Sequence, residues 1–249
     1  MTYNPYTLEQ RTILVTGASS GIGRQTAIEC ARLGAKVIVS GRNAERLQET
    51  LGILEGEGHL VLPCDLANTD DIHELAVSLP RIDGLVSNAG YTQLQPIPFL
   101  KADTLGQLFQ VNTLAPILLL KELLKERKLA KGGSVVFTSS LDGIGATTMA
   151  NSAYAATKGA LSAFTRAAAL ELAGRRIRVN AVCPGMVATH ILDGTGITDE
   201  DVQADLENYP LGRYGEPRDV ALAITYLLSD AAAWLTGHNL IIDGGLSLH

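Results

Sequence analysis

Thr12-Ile13-Leu14-Val15-Thr16-Gly17-Ala18-Ser19-Ser20-Gly21-Ile22-Gly23-Arg24 decides how the rest of the chain is read. A short β-branched and apolar run leads straight into three glycines spaced G-x-x-x-G-x-G, and an amphipathic stretch follows at once. That order predicts a strand over 12–16, a tight turn, and a helix over 22–33 that stops at Gly34. Glycines in such a turn allow a sharp reversal. They also let the backbone approach a pyrophosphate, with the N–H groups of the helix N-terminus pointing at it. The spacing differs from the G-x-G-x-x-G form of many dinucleotide sites, but the physical need is the same.

Working outward, further strands are expected over 36–40, 60–62, 84–87, 134–138, 177–182 and 239–242. Helical patterns fill the gaps over 44–54, 70–78, 104–128, 153–173 and 217–229. Strands alternating with helices imply right-handed βαβ units. The strands are nearly pure Val, Ile and Leu, as a sheet covered on both faces requires. The expected fold is α/β: a Rossmann-type, doubly wound parallel sheet of about seven strands, helices on both faces, in a single domain over 1–249.

The composition narrows the function. With 46% apolar and 18% charged residues in 249, the chain can build a full core and is not a disordered one. Twenty Lys and Arg against 26 Asp and Glu leave a net charge of −6, which disfavours nucleic acid as a partner. The apolar run 114–120 is too short to span a bilayer, and residues 1–11 lack the apolar core of a signal peptide, so a cytoplasmic location without membrane contact is expected. Cys30, Cys64 and Cys183 are odd in number and far apart, which suits buried apolar residues better than disulfides. The five histidines show no metal-binding spacing, and no metal is expected.

The second strand ends in Gly41-Arg42 where an NAD site usually has an acidic residue for the ribose hydroxyls. A guanidinium suits a 2′-phosphate instead, because its fork of donors pairs with phosphate oxygens. NADP(H) is therefore favoured, with NAD(H) possible. Ser139-Ser140 closes the strand over 134–138, and Tyr154 and Lys158 lie four apart on one face of the following helix. A free tyrosine keeps its proton to a pH of about 10, and a nearby ammonium would lower that value. A phenol so tuned can donate or accept a proton, with Ser140 holding the substrate oxygen beside it.

With these motifs in order, the chain resembles the short-chain dehydrogenase/reductase family, in its single-domain branch of 3-oxoacyl-acyl-carrier-protein reductase-like and related carbonyl reductases. The match runs from Arg11 to Gly245 and includes Asp65-Leu66, Asn88-Ala89-Gly90, Asn112 and Pro184-Gly185, and a tail from Thr236-Gly237 to Asp243-Gly244-Gly245. The resemblance implies that Tyr154 is the general acid and base, that Ser140 orients the substrate oxygen, and that Lys158 binds the nicotinamide ribose and lowers the tyrosine pKa. It gives Asn112 a proton-relay water. Cofactor contacts are implied for Gly17, Ser19, Ser20, Gly21, Ile22 and Gly23, for Arg42, Asp65 and Leu66, and for Asn88, Ala89 and Gly90. On the nicotinamide side, Pro184, Gly185, Val187 and Thr189 are implied alongside Tyr154 and Lys158.

The expected activity is hydride transfer between NADPH and a carbonyl or secondary alcohol, including 3-oxoacyl thioesters. The alternatives are a dehydrogenase of a sugar, steroid or other secondary alcohol, and a non-catalytic NADP(H)-binding regulator. Specificity is expected over 190–212 and around Tyr91-Thr92-Gln93; the acids of the former stretch would repel an anionic substrate. An acyl carrier protein would need a basic patch, for which Lys131, Arg175 and Arg176 are the candidates by resemblance. Excess small and apolar residues over 153–173 and 104–128 predict a homotetramer.

Overall fold

The computed structural model describes residues 3–188 and 199–248. Seven strands form one sheet: β1 (Thr12–Thr16), β2 (Lys36–Gly41), β3 (Leu60–Pro63), β4 (Ile82–Ser87), β5 (Leu129–Thr138), β6 (Arg178–Pro184) and β7 (Asn239–Ile242). Their order is β3-β2-β1-β4-β5-β6-β7, and every pairing is parallel. Around it lie α1 (Gly21–Arg32), α2 (Ala44–Leu51), α3 (Thr69–Ser78), α4 (Ala102–Phe109), α5 (Ala115–Lys125), α6 (Ser152–Leu172), α7 (Asp199–Leu206) and α8 (Pro217–Leu228).

Alternating residues of each strand feed two separate cores. Leu14, Val135 and Phe137 pack with α3, α5 and α6, whereas Ile13, Val15 and Val136 pack with α1, α2 and α8. This double burial explains why the strands read as continuous apolar runs. The order reverses at β1, whose neighbours are β2 on one side and β4 on the other. Such a switch point opens a crevice at the carboxyl ends of the strands.

Beyond shifts of up to three residues at element ends and a helix α7 that was not expected, two elements depart from the sequence reading. β5 begins at Leu129, five residues earlier than 134, because Lys131-Gly132-Gly133 reads as a turn yet continues the ladder through an irregularity opposite Ile82 and Gly84. The helix expected over 104–128 is α4 and α5 joined by one π-helical turn at Gln110–Leu114. Pro116 has no N–H to donate to the carbonyl four residues back, which is that of Asn112, so an α-helix cannot run through unchanged.

Cys30, Cys64 and Cys183 are free and buried, as their spacing suggested. His73, Glu122 and Glu126 converge between α3 and α5, but Lys121 (2.9 Å) and His73 (3.0 Å) already bind the Glu122 carboxylate, and with Lys125 they hold its pKa down to about 2. Among the described residues no helix is long and apolar enough to cross a membrane.

Candidate active site

A cleft of about 1010 Å³ runs along the carboxyl ends of the strands, from the glycine turn to Tyr154 and Lys158. At its first end Gly17 and Gly21 have φ of +66° and +52°, which favour glycine. A Cβ on Gly17 would stand 2.8 Å from the Ala89 Cα, and one on Gly23 only 2.2 Å from the Gly17 carbonyl oxygen. Gly23 thus packs the helix onto the turn, while Gly17, Ser19, Ser20, Gly21 and Ile22 line the cleft. Ser20 starts α1 without a side-chain cap bond, which leaves the first N–H groups of the helix free for an anion.

Arg42 lies beside this turn, exposed and lining the cleft, and Arg46 lines it one helical turn further on. Asn43 fixes that turn by accepting the Arg46 backbone N–H at 2.9 Å. Neither guanidinium forms an ion pair among the described residues. Asp65 and Leu66 also line the cleft. One Asp65 carboxylate oxygen caps its own loop through Ala67 N at 3.0 Å. Asn88 accepts a bond from the Thr138 hydroxyl at 3.1 Å, which ties β4 to β5 at the cleft floor.

The second end is made of buried side chains. Lys158 is buried and donates from Nζ to the Thr138 carbonyl at 2.7 Å; burial lowers its pKa to about 8. Its ammonium lies 5.6 Å from the centre of the Tyr154 ring. Burial raises the Tyr154 pKa to about 12, opposed by the neighbouring Ser140 hydroxyl and reinforced by Asp142. In this arrangement desolvation of the phenol outweighs the lowering expected from Lys158.

Asn112 sits in the π-helical turn, and its side chain is fully engaged. Oδ1 accepts from Tyr91 N at 3.0 Å, and Nδ2 donates to Tyr91 O at 2.9 Å and Thr157 Oγ1 at 3.2 Å. Gly90 is wedged beside it: a Cβ there would be 3.1 Å from Asn112 Oδ1 and 3.2 Å from Lys158 Nζ. Ser140 follows β5 with its hydroxyl donated to Asp142 Oδ2 at 3.0 Å. Ser139, its neighbour, is turned inward and bonded to Ser162 and the Lys158 carbonyl.

This geometry joins a glycine cradle, two cations beside it and a tyrosine–lysine–serine cluster along one cleft. A family model described as enoyl-(acyl carrier protein) reductase matches residues 17–247. The chain belongs to the short-chain dehydrogenase/reductase family. Among its relatives, the 3-oxoacyl-acyl-carrier-protein reductase FabG of Rickettsia felis is 35% identical over 96% of this chain and 98% of its own. The glucose 1-dehydrogenase of Gluconobacter oxydans is also 35% identical, over 96% and 92% respectively. Among solved structures, one described as an NAD(P)-dependent gluconate 5-dehydrogenase by assignment, from Beutenbergia cavernae and with NADP bound at low occupancy, superposes with a TM-score of 0.91 at 33% identity, covering 99% of this chain and all of that one. Short-chain dehydrogenase/reductase relatives thus act on rather different carbonyl and alcohol compounds while sharing one scaffold.

Most residues singled out from the sequence converge on the cleft, but not all in the same way. Pro184 ends β6, and Gly185 packs against Asp243, where a Cβ would meet the Asp243 Cα at 3.1 Å. Val187 is buried beside Gly215, anchored by Ala188 N to Gly215 O at 2.8 Å. Thr189 lies outside the described residues, as do residues 190–198 of the stretch 190–212 expected to set specificity. The sequence reading missed Arg46, whose only signal was its place one turn after Arg42. It also missed Asp142, which accepts from Ser140, and Asn151, which donates to Asp142.

Proposed function

We propose that the protein is an NADPH-dependent carbonyl reductase in which Tyr154 gives its proton to the substrate oxygen. The observation that carries this reading is the continuity of the cleft: the pair Arg42 and Arg46 marks one end, and Tyr154 and Lys158 mark the other, with the Ser140 hydroxyl beside the phenol. The open N–H groups of α1 and the glycine turn fit a pyrophosphate, and the two guanidinium groups, without an ion pair among the described residues, fit a ribose 2′-phosphate. When bound there, the nicotinamide supplies or accepts a hydride. Ser140 holds the substrate oxygen beside the phenol. Lys158, held by Thr138, keeps a positive charge next to the ring and binds the nicotinamide ribose. Burial holds the Tyr154 phenol in its protonated form, the form that gives a proton to a carbonyl oxygen. Asn112 fixes the Tyr91 loop rather than offering free N–H groups. A panel of ketones, aldehydes and alcohols with NADPH and NADH, followed through nicotinamide absorbance, tests the reading; turnover with NADH only would overturn the cofactor assignment.

Reduction of a carrier-bound 3-oxoacyl thioester has one specific observation in its favour. A second cavity of about 420 Å³ is lined by Arg81, Arg127, Lys131 and Arg175 without a carboxylate. It includes two of the three basic residues named from the sequence, and suits an acidic protein. It lies at the start of β5, the far end of that strand from Ser140. The assembly we read as a homotetramer: Leu114, Leu170 and Trp234 are exposed, as is Ile241 on β7, and the outer face of α6 carries Ala156, Ala163 and Ala167. A monomer by light scattering at micromolar concentration would overturn that.

A further inference from the structure

The turn of α6 that carries Tyr154 and Lys158 is held by more hydroxyls than a helix needs. In a regular α-helix each interior carbonyl takes the N–H four residues on, so the Tyr154 carbonyl receives the Lys158 N–H. Here three carbonyls of that turn each gain a further donor. Thr157 Oγ1 donates to the Tyr154 carbonyl at 2.7 Å, Thr113 Oγ1 to the Thr157 carbonyl at 2.9 Å, and Ser139 Oγ to the Lys158 carbonyl at 2.9 Å. The donors come from α6 itself, from the π-helical turn and from the end of β5. Gly143 adds a backbone contact: a Cβ there would stand 2.5 Å from Gly159 N and 2.6 Å from the Lys158 carbonyl carbon.

Thr157 is the centre of this arrangement. It is fully buried; its hydroxyl gives its one proton to the Tyr154 carbonyl and accepts Asn112 Nδ2 at 3.2 Å. The π-helical turn thus reaches Thr157 twice, through Asn112 to the hydroxyl and through Thr113 to the carbonyl. Threonines commonly bond back to a carbonyl one turn earlier, and alone such a bond does little for a helix. Thr165, two turns on in α6, is the plain case. It is buried, donates to the Leu161 carbonyl at 2.9 Å and has no other side-chain partner among the described residues. Thr157 differs by tying its carbonyl partner to a second element, at the point where the backbones of Tyr154 and Lys158 meet.

The rest of the reacting centre belongs to β5. The Lys158 ammonium is pinned to the Thr138 carbonyl at 2.7 Å, and Ser140 follows the same strand. A shift of the α6 turn therefore moves the phenol against both. We propose that Thr157 is a positioning residue: linked to the π-helical turn by Asn112 and Thr113, it holds the Tyr154 backbone so that the phenol stays in register with Lys158 and Ser140. This rests on the carbonyl-reductase reading. Thr157 acts only through Tyr154, so its loss changes turnover rather than binding.

The test measures kcat, KM and NADPH affinity for wild type, Thr157→Val, Thr157→Ser and Thr165→Val, with the best-reduced ketone or aldehyde of the panel. Expressing kcat per NADPH-binding site removes any loss of folded protein from the comparison. Thr157→Val keeps the shape and removes the hydroxyl. Its kcat is expected to fall about 10- to 100-fold, the scale of a small misplacement of a catalytic group, with KM and NADPH affinity within about 3-fold of wild type. Thr157→Ser should restore kcat, and Thr165→Val should leave it unchanged. If Thr157→Val does not fold, Thr113→Val takes its place. Losing one neutral hydrogen bond, it should lower kcat about 2- to 10-fold, and Thr113→Ser should restore it. An unchanged kcat, a fall that serine does not restore, an equal fall in Thr165→Val, or a loss carried by KM or NADPH affinity overturns the proposal while the carbonyl-reductase reading stands. Failure of both valine variants to fold also overturns it, since the cluster then serves the fold alone. If wild type turns over no carbonyl compound or alcohol of the panel, the carbonyl-reductase reading fails and the proposal falls with it.

Discussion

The two ends of the cleft are built from different materials. The end near β1 and β2 is mostly backbone: positive-φ glycines, a helix N-terminus without a side-chain cap, and two exposed arginines at the rim. The end near β5 and α6 is made of buried polar side chains, with Lys158, Ser140, Asn112 and Asn151 all nearly out of reach of solvent. Binding a phosphate calls for shape and many N–H groups, which the backbone provides without desolvating a charge. Moving a proton calls for groups of tuned acidity, and tuning comes from burial. Substitutions at the first end should therefore act through shape, and those at the second through chemistry.

The largest effect should come from Tyr154→Phe, which removes the transferable proton but keeps the ring. Turnover is expected to fall by about 10²- to 10⁴-fold, the range of general acid catalysis. NADPH binding and the melting temperature should stay near those of the wild type. Loss of cofactor binding in that variant would blur the division between the two ends. Gly23→Ala should do the reverse, since its methyl meets the Gly17 carbonyl at 2.2 Å. It should cost about 1–3 kcal/mol or more of stability and weaken NADPH binding, as overpacking of a fixed contact does. Calorimetry and cofactor titration check both parts.

Lys158→Met sharpens the comparison through pH. The buried ammonium has a pKa of about 8 against 10.5 unperturbed, so the unfolded chain holds the extra proton between those values. Stability then rises with pH from about 8 to 10.5 and carries a penalty of about 3 kcal/mol below that window. Tyr154, shifted the other way, makes stability fall between pH 10 and 12. Lys158→Met should abolish activity and yet flatten the rise between pH 8 and 10 in denaturant titrations. An unchanged slope would remove Lys158 from the account. The smallest effect expected is at the exposed rim: Arg42→Ala should weaken NADPH binding by about 1.5–3 kcal/mol and leave NADH nearly untouched. Equal losses for both cofactors would show that Arg42 does not read the phosphate.

Much of this contrast was legible in the sequence, and unequally so. The glycine turn, the seven strands and the spacing from Tyr154 to Lys158 are local patterns, and local patterns survive in a linear text. Strand β7 was placed residue for residue at Asn239–Ile242 because it is a short apolar run bounded by turn residues. β5 was truncated because a glycine pair inside a ladder looks the same as one in a loop. The direction of the Tyr154 shift was also missed, since burial is a property of the assembled layers and not of an i, i+4 spacing. Asp142 escaped notice for a similar reason. Its partners Thr147 and Asn151 follow in the next loop, but Asn151 is itself held by Thr92, and nothing in the sequence brings Thr92 to a residue 59 positions away.

The π-helical turn at Gln110–Leu114 acts as a phase slip between two helices that otherwise would be one. Each residue advances an α-helix by about 100°, so the single extra residue accommodated by a wide turn rotates everything after it by that angle. α4 and α5 therefore need not share one apolar stripe. α5 can turn Leu119, Leu120 and Leu123 into the core while the slip itself leaves Asn112 aimed at the Tyr91 loop. Deleting one residue there would restore a uniform helix with better backbone geometry, and would swing either the core-facing leucines or the asparagine out of register.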